Sequence, residues 1–258
     1  MRVTVILNLK GGVGKTCTVI NLAAILARDY RQRVLVIDAD SQCNSTDFLG
    51  ADPAKGNLAE LLRRVETSEA DAWGIQRTRL RSIDILAGDD SLMDLDLTKV
   101  ELGSAQTGCL REMCQSLAQM DLYDWVLVDC PPAFNAASAA ALLAADEVVL
   151  PIKLDAFSLR GMANLMRQIA NMRQINDKLV LAGLLPTMWY KSDNIVAAER
   201  QLRASGLPVF PHIRRSNRVD DMTFVQEPLV ISSPKSAACV DYRRFVARLI
   251  EGGADSGI

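Results

Sequence analysis

Apolar positions along the chain fall into two alternating kinds of run. Short runs rich in Val, Ile and Leu lie at residues 3–8, 34–37, 83–86, 125–128, 148–152, 179–185 and 209–213. Several are apolar at nearly every position, the pattern of strands covered on both faces. Between them lie longer, helix-like runs at residues 16–29, 58–64, 107–120, 135–144, 159–175, 194–204 and 237–250. The alternation predicts an α/β fold of three layers, a mostly parallel twisted sheet with helices on both faces. Residues 87–106 fit neither pattern. There is no internal repeat, low-complexity tract or Pro/Gly-rich linker, so one domain over residues 1–258 is expected.

In open α/β sheets ligands bind beyond the carboxyl ends of the strands. The loops after Asn8, Ile37, Val128, Leu185 and Ile213 therefore hold the candidate chemistry. The first reads Leu9-Lys10-Gly11-Gly12-Val13-Gly14-Lys15-Thr16-Cys17 and enters a helix. Its glycines let the backbone turn tightly, so that successive N–H groups point at one anion. The helix N-terminus behind them adds a partial positive charge. In such a phosphate loop Lys15 reaches the β- and γ-phosphate oxygens and the Thr16 hydroxyl ligates Mg²⁺. Asp38 and Asp40 end the second strand two residues apart, so their side chains start on one side of it.

The usual loop has glycine at the position of Leu9, and a second lysine, Lys10, follows here. Lys10-Gly-Gly-Val-Gly-Lys-Thr16 resembles the deviant Walker A motif of the ParA/MinD family of ATPases. The resemblance spans nearly the whole chain. The stretch from Val34 to Asn44, with Asp38, Asp40 and Gln42, looks like the family's D-x-D-P-Q-x-N motif. Trp125-Val-Leu-Val-Asp129-Cys-Pro-Pro132 looks like its Walker B segment, and Ile213-Arg-Arg-Ser-Asn-Arg218 is similar to the I-P-R-N-x-R stretch of the ParA/Soj chromosome- and plasmid-partitioning branch.

The resemblance implies ATP and Mg²⁺ as ligands and a homodimer in the ATP state, in which Lys10 contacts phosphate bound by the partner subunit. Residues Lys10 to Cys17 would hold the phosphates. Asp40 would orient the attacking water, Asp38 would sit in the outer shell of Mg²⁺, and Asp129 would hold the ion through water. Pro131-Pro132 would stiffen the loop that senses the γ-phosphate. Thr187, Met188, Ile213, Arg214 and Arg215 match positions that line the adenine; ordinary loop packing is the other reading of them. The chain departs from the family pattern at Cys17 (usually Thr), Ser41 (Pro), Asp155 (Glu) and Arg214 (Pro). None of these removes a charged group from the phosphate site.

Composition narrows the alternatives. A hydrophobic share of 49% against 23% charged residues excludes a disordered chain, and no apolar stretch reaches membrane-span length. Six scattered cysteines without a CxxC pair argue for a reducing compartment and against a cysteine-ligated metal. Cys130 has no second cysteine at a similar loop, so it reads as a small buried residue rather than a cluster ligand. The single histidine, His212, excludes a multi-histidine metal site.

Charge is uneven. Residues 1–129 carry a net of -5 and residues 130–258 a net of +3. Arg200 with Arg203, Arg215 with Arg218, and Arg243 with Arg244 form basic pairs in the second half, and the first two pairs have the spacing of one helix face. The partitioning branch binds DNA non-specifically through such residues, and no aromatic is interleaved, which fits phosphate contact. A solvated surface is the other reading, since Asp220, Asp221 and Glu227 lie nearby.

The resemblance thus implies a slow ATPase, cytoplasmic and nucleoid-associated, with no N-terminal DNA-binding extension. A ParB-like centromere-binding protein would stimulate its hydrolysis. A MinD-like membrane-cycling or organelle-positioning ATPase is the first alternative. It needs a terminal amphipathic helix. Here Tyr242, Phe245, Val246 and Leu249 form a stripe expected to dock on the core, and the tail after Glu251 is acidic and Gly-rich. No stable membrane anchor is expected. An amidoligase of the same fold is the second alternative.

Overall fold

The computed structural model describes residues 1–63, 73–95 and 105–252. Strand β1 (Arg2–Ile6) leads to helix α1 (Lys15–Asp29), and β2 (Val34–Asp38) to the short α2 (Asn44–Leu49). Helix α3 (Leu58–Arg63) precedes β3 (Gln76–Arg77), β4 (Ile83–Leu86) and α4 (Ala105–Gln119). Then come β5 (Trp125–Asp129), α5 (Ala136–Ala144), β6 (Glu147–Lys153), α6 (Ala156–Met172) and β7 (Val180–Thr187). The chain finishes through α7 (Asp193–Arg203), α8 (Asn217–Val225), α9 (Leu229–Ser232) and α10 (Ala237–Ile250).

These strands form one seven-stranded sheet in the order β3-β4-β2-β5-β1-β6-β7. Every neighbour pair is parallel except β3–β4. The expected three-layer architecture follows from the strand alternation. Val3, Val5, Leu35, Ile37, Val126 and Val128 face one core with α3, α4, α5 and α6. Ile6, Val34, Val36, Trp125 and Leu127 face a second core with α1 and α10. The central strands are buried at both sets of positions, which is why they read as continuous apolar runs.

Two of the expected elements differ. Residues 209–213 do not form a strand. Pro208 and Pro211 interrupt the ladder, since proline has no N–H to donate. What remains is isolated pairing: Phe210 N donates to Leu184 O at 2.8 Å and Ile213 N to Pro186 O at 2.8 Å. The Arg215–Arg218 pair does not share a helix face either. Ser216 caps α8 by accepting from Arg218 N, which leaves Arg215 in the loop outside the helix. In the stretch 87–106, Asp89 caps a single 3₁₀ turn over Asp90–Asp94 by accepting from Ser91 N; residues 96–104 lie outside the described residues. So do Arg64 and the tail residues 253–258.

The C-terminal stripe docks as expected, with Tyr242, Phe245, Val246 and Leu249 buried against α1. No helix among the described residues is long and apolar enough to cross a membrane.

Candidate functional site

From β1 the chain passes through α1 to β2, on one side of β5. From β5 it passes through α5 to β6, on the far side of β1. The carboxyl ends of β1 and β5 therefore flank a topological switch point, where a ligand crevice is expected. The loop after β1 occupies it. Gly12 and Gly14 have φ of 68° and 85°, a left-handed conformation that a side chain would strain. Gly14 sits at the N-cap of α1 and offers no side chain, and the first turn of α1 has no acidic residue. The leading N–H groups of the helix are thus left for an anion.

Hydrogen bonds from outside hold this loop in place. Thr187 at the end of β7 donates its hydroxyl to Val13 O at 2.8 Å. Asn8 donates Nδ2 to Pro151 O and accepts from Lys10 N at 2.9 Å. Lys15 folds back over the loop, its Nζ 3.3 Å from Lys10 O. Burial lowers its pKa below the usual lysine range, although Asp129 and Asp40 act the other way. The Lys10 ammonium pairs with Asp155 at 2.7 Å.

Three aspartates face the loop, each in a different state. Asp38 is fully buried; its Oδ2 accepts from Thr46 N and Oγ1, both at 2.8 Å, and its Oδ1 from Asp40 N at 3.2 Å. Asp129 accepts from Ser45 Oγ at 2.7 Å, while its Oδ1 is buried without a partner. Asp40 is nearly buried and accepts from Gln42 N at 3.0 Å. Burial, and then the like charge of Asp129, pushes Asp38 above the usual carboxylate range, against the bonds from Thr46. Burial does the same to Asp129, opposed by Ser45 and Thr16. Two carboxylates pressed together without a cation call for one.

The donor set fits Mg²⁺ in a specific way. An orphaned carboxylate oxygen beside a threonine hydroxyl suits a hard cation that keeps several waters. Asp129 and Thr16 are the residues that would hold it. Asp38, with both oxygens already engaged, suits the outer shell.

A cleft of 520 Å³ runs along the loop, lined by Gly11, Gly12, Gly14, Lys15, Thr16, Cys17, Asp40 and Pro132. A neighbouring 340 Å³ cavity shares Gly14, Cys17 and Met188 with it and is lined by all five expected base-site residues: Thr187, Met188, Ile213, Arg214 and Arg215. The structure thus brings phosphate and base candidates together. Two base candidates are already engaged: the Thr187 hydroxyl by Val13, and the Arg214 guanidinium by buried Asp241 at 2.7 Å. Burial pushes the Cys17 thiol up to about 11, leaving it neutral at physiological pH. Cys130 is buried and behaves as the small core residue expected.

Sequence reading missed several residues here. Ser45 and Thr46 on α2 bond Asp129 and Asp38, and Phe48, Met222, Thr223 and Gln226 line the cleft beside the motif residues Gln42 and Asn44. Gly88 passes so close that a Cβ would lie 3.0 Å from Asp38 O. Its N–H donates to Thr46 Oγ1 at 2.8 Å. The available signal was a glycine directly beyond a strand that ends beside Asp38.

A family model described as an AAA domain matches residues 1–181. The "Chromosome partitioning protein ParA" of Caulobacter vibrioides is 31% identical over 263 residues, covering 99% of this chain and 96% of that protein. The chain belongs to the ParA/MinD family. The "Chromosome-partitioning ATPase Soj" of Thermus thermophilus is 35% identical, over 94% of this chain and 93% of its own. Among solved structures, cobyrinic acid a,c-diamide synthase from Mycobacterium smegmatis with bound ATP analog and magnesium superposes with a TM-score of 0.78 at 28% identity, covering 97% and 95% of the two chains. Nucleotide and Mg²⁺ binding in the family is thus supported alongside the fold.

Four of the six expected DNA-contact arginines of this ParA/MinD chain are held by carboxylates. Arg203 pairs with Glu199 at 2.8 Å, Arg218 with Asp221 at 3.1 Å, Arg243 with Asp29 at 2.7 Å and Arg244 with Asp241 at 3.8 Å. Among the described residues Arg200 and Arg215 have no carboxylate partner.

Proposed function

We propose that this chain is a dimerising partition ATPase that binds DNA non-specifically in its ATP state. Hydrolysis, stimulated by a ParB-like partner, then releases it. The observation that carries the reading is the site at the β1–β5 crevice: Lys15 and Lys10 on one glycine loop, faced by the orphaned Oδ1 of Asp129. Three phosphates on Mg²⁺ would supply the negative charge that Lys15 lacks and the positive charge that Asp38 and Asp129 lack. Asp129 and Thr16 would hold Mg²⁺, which when bound would supply positive charge against the phosphates.

The chain's own residues do the rest. The N–H groups of α1 and the loop cradle the phosphates, Lys15 fixes the β/γ end, and Asp40 in the cleft wall orients the attacking water. Lys10 acts across the dimer. Its present bond to Asp155 is a half-exposed ion pair, with side-chain exposures of 36% and 28%. Phosphate carries more negative charge than one carboxylate, so the lysine would exchange this bond for a partner's phosphate when ATP is present. ATP therefore favours the closed dimer because Lys10 gains a phosphate contact there that the monomer does not make. In the cell the ATP dimer would coat the nucleoid, carrying a chromosome, plasmid or integrated element.

The DNA step is tested by Arg200→Glu with Arg218→Glu. Neither residue lines the phosphate loop or the base cavity, Arg200 is exposed with no carboxylate partner among the described residues, and the Arg218–Asp221 pair is exposed, so both are available to DNA phosphates. Wild type should bind two unrelated duplexes equally by fluorescence anisotropy, only with ATP. Each neutralised phosphate adds about 0.9 to the log–log salt slope. The double variant should lose this binding and keep ATP. Sequence-specific binding, or equal binding without nucleotide, refutes the partition reading; ATP-dependent liposome binding in its place supports the membrane-cycling alternative.

The diamide synthase likeness favours one second reading, an amide-forming enzyme. It would show as ATP turnover dependent on an added carboxylic acid and ammonia. Lys10 and the Asp38/Asp40 pair favour the switch ATPase.

A further inference from the structure

A second cleft, of 620 Å³, opens at the amino-terminal ends of the strands, where α1 ends and β4 begins. Its floor is apolar, built from Ala24 and Ala27 of α1, Ile83 of β4 and Val230 of α9. Its rim carries three guanidinium groups, Arg28, Arg31 and Arg81, and among the described residues no acidic side chain lines it. Arg28 is fixed there by donating to Val230 O at 2.8 Å. Asp29, its neighbour in sequence, is engaged by Arg243. Among the described residues no carboxylate pairs with any of the three arginines. Two rim residues, Arg31 and Ser82, hold left-handed φ values of 57° and 64°, which cost about 1 kcal/mol each in a non-glycine residue.

Three unneutralised arginines around an apolar floor describe a partner with the complementary chemistry. We propose that this cleft takes a peptide segment of a partner protein carrying one or two carboxylates beside a bulky apolar side chain. Guanidinium forks match carboxylates in bidentate geometry, while the floor takes the apolar anchor. The volume lies within the range of ligand clefts, about 300–1,000 Å³. A DNA duplex is convex and polar; it would touch the rim and leave the floor uncovered. The site is clear of the nucleotide: α1 has 15 residues and so spans about 22 Å at about 1.5 Å per residue between phosphate loop and cleft.

The test is panning of a phage-displayed random heptapeptide library against the full chain. Enriched sequences should place Asp or Glu within a few positions of Leu, Ile, Phe or Trp. A labelled peptide of the enriched sequence should bind by fluorescence anisotropy, more weakly as salt rises. Binding should weaken about tenfold or more in Arg31→Glu/Arg81→Glu. That variant spares the Arg28–Val230 bond and should keep the wild-type melting transition. Two results overturn the proposal: no acidic–apolar enrichment, or an enriched peptide that binds the charge-reversed variant as it binds wild type. Loss of DNA binding in the variant without acidic enrichment would assign the arginines to duplex phosphates and also overturn it.

Discussion

Ser45→Ala isolates the hydrogen bond from Ser45 Oγ that orders Asp129. Ser45 and Asp129 are both essentially inaccessible to solvent, and Ser45 Oγ supplies the larger of the two hydroxyl contributions to the carboxylate, ahead of Thr16. Its loss leaves Oδ1 orphaned and Oδ2 without its 2.7 Å donor. A hydrogen bond to a charged group is worth about 1.5–3 kcal/mol. For a chain of this size that is a drop in Tm of roughly 3–12 °C. The sign with pH follows from the protonation state the bond favours. Ser45 stabilises the ionised form, so its contribution is full when Asp129 is charged and fades as falling pH protonates it. The deficit of the variant should therefore be largest near pH 8 and shrink toward pH 5 in urea titrations with EDTA. Because Ser45 orients a carboxylate that would hold Mg²⁺, the Mg²⁺ needed for half-maximal ATP binding should also rise, about 10- to 100-fold. A variant with unchanged Mg²⁺ requirement and a pH-independent deficit would show that Ser45 only fills space.

Wild-type stability in EDTA should fall as pH rises from about 4 to about 8, because the folded state holds protons on Asp38 and Asp129 that the unfolded chain has already released; Mg²⁺ with ATP should flatten the slope, and a rise over that window would contradict the burial argument. Lys15→Ala should abolish ATP binding measured by calorimetry, and wild-type affinity would displace the phosphate loop from its assigned role. On an Asp40→Ala background, which should bind ATP but not turn it over, adding Lys10→Ala should leave a monomer by light scattering. A stable dimer of that double variant would return Lys10 to a loop charge held by Asp155.

Much of this was legible in the chain because local pattern and tertiary role agree. The central strands are apolar at nearly every position because both faces are covered, and the glycine loop announces itself because only glycine takes the backbone of Gly12 and Gly14 without strain. Where the pattern misled, a backbone group was decisive. Residues 209–213 carry strand-like side chains, but Pro208 and Pro211 lack the N–H a ladder requires. Helix α2 was invisible because six residues are too few to show a period. It is held by the buried carboxylates its own Ser45 and Thr46 satisfy, a reason that exists only once the sheet has formed.

The arginines show where reading along the chain stops and why. From spacing alone, all six expected DNA-contact residues look equivalent, yet their partners sort them. Arg243 reaches Asp29, 214 positions away, and Arg203 shares Glu199 with His212. Arg214, expected at the base, is instead tied to Asp241, a carboxylate only 3% exposed. Losing Arg214 would leave that buried carboxylate with only the more distant Arg244 at 3.8 Å, so Arg214 serves the scaffold of the base site as well as its wall. No short motif could reveal this, since Asp241 lies on α10, 27 residues on. The same logic runs the other way at the amino-terminal ends of the strands. Arg31 and Arg81 belong to no motif and attract no notice in sequence, and their interest arises only because folding sets them on one rim with no carboxylate among the described residues to meet them. Charge in this family is thus read in two steps: the motif says which cations face the phosphate, and the ion pairs say which of the others remain for a partner.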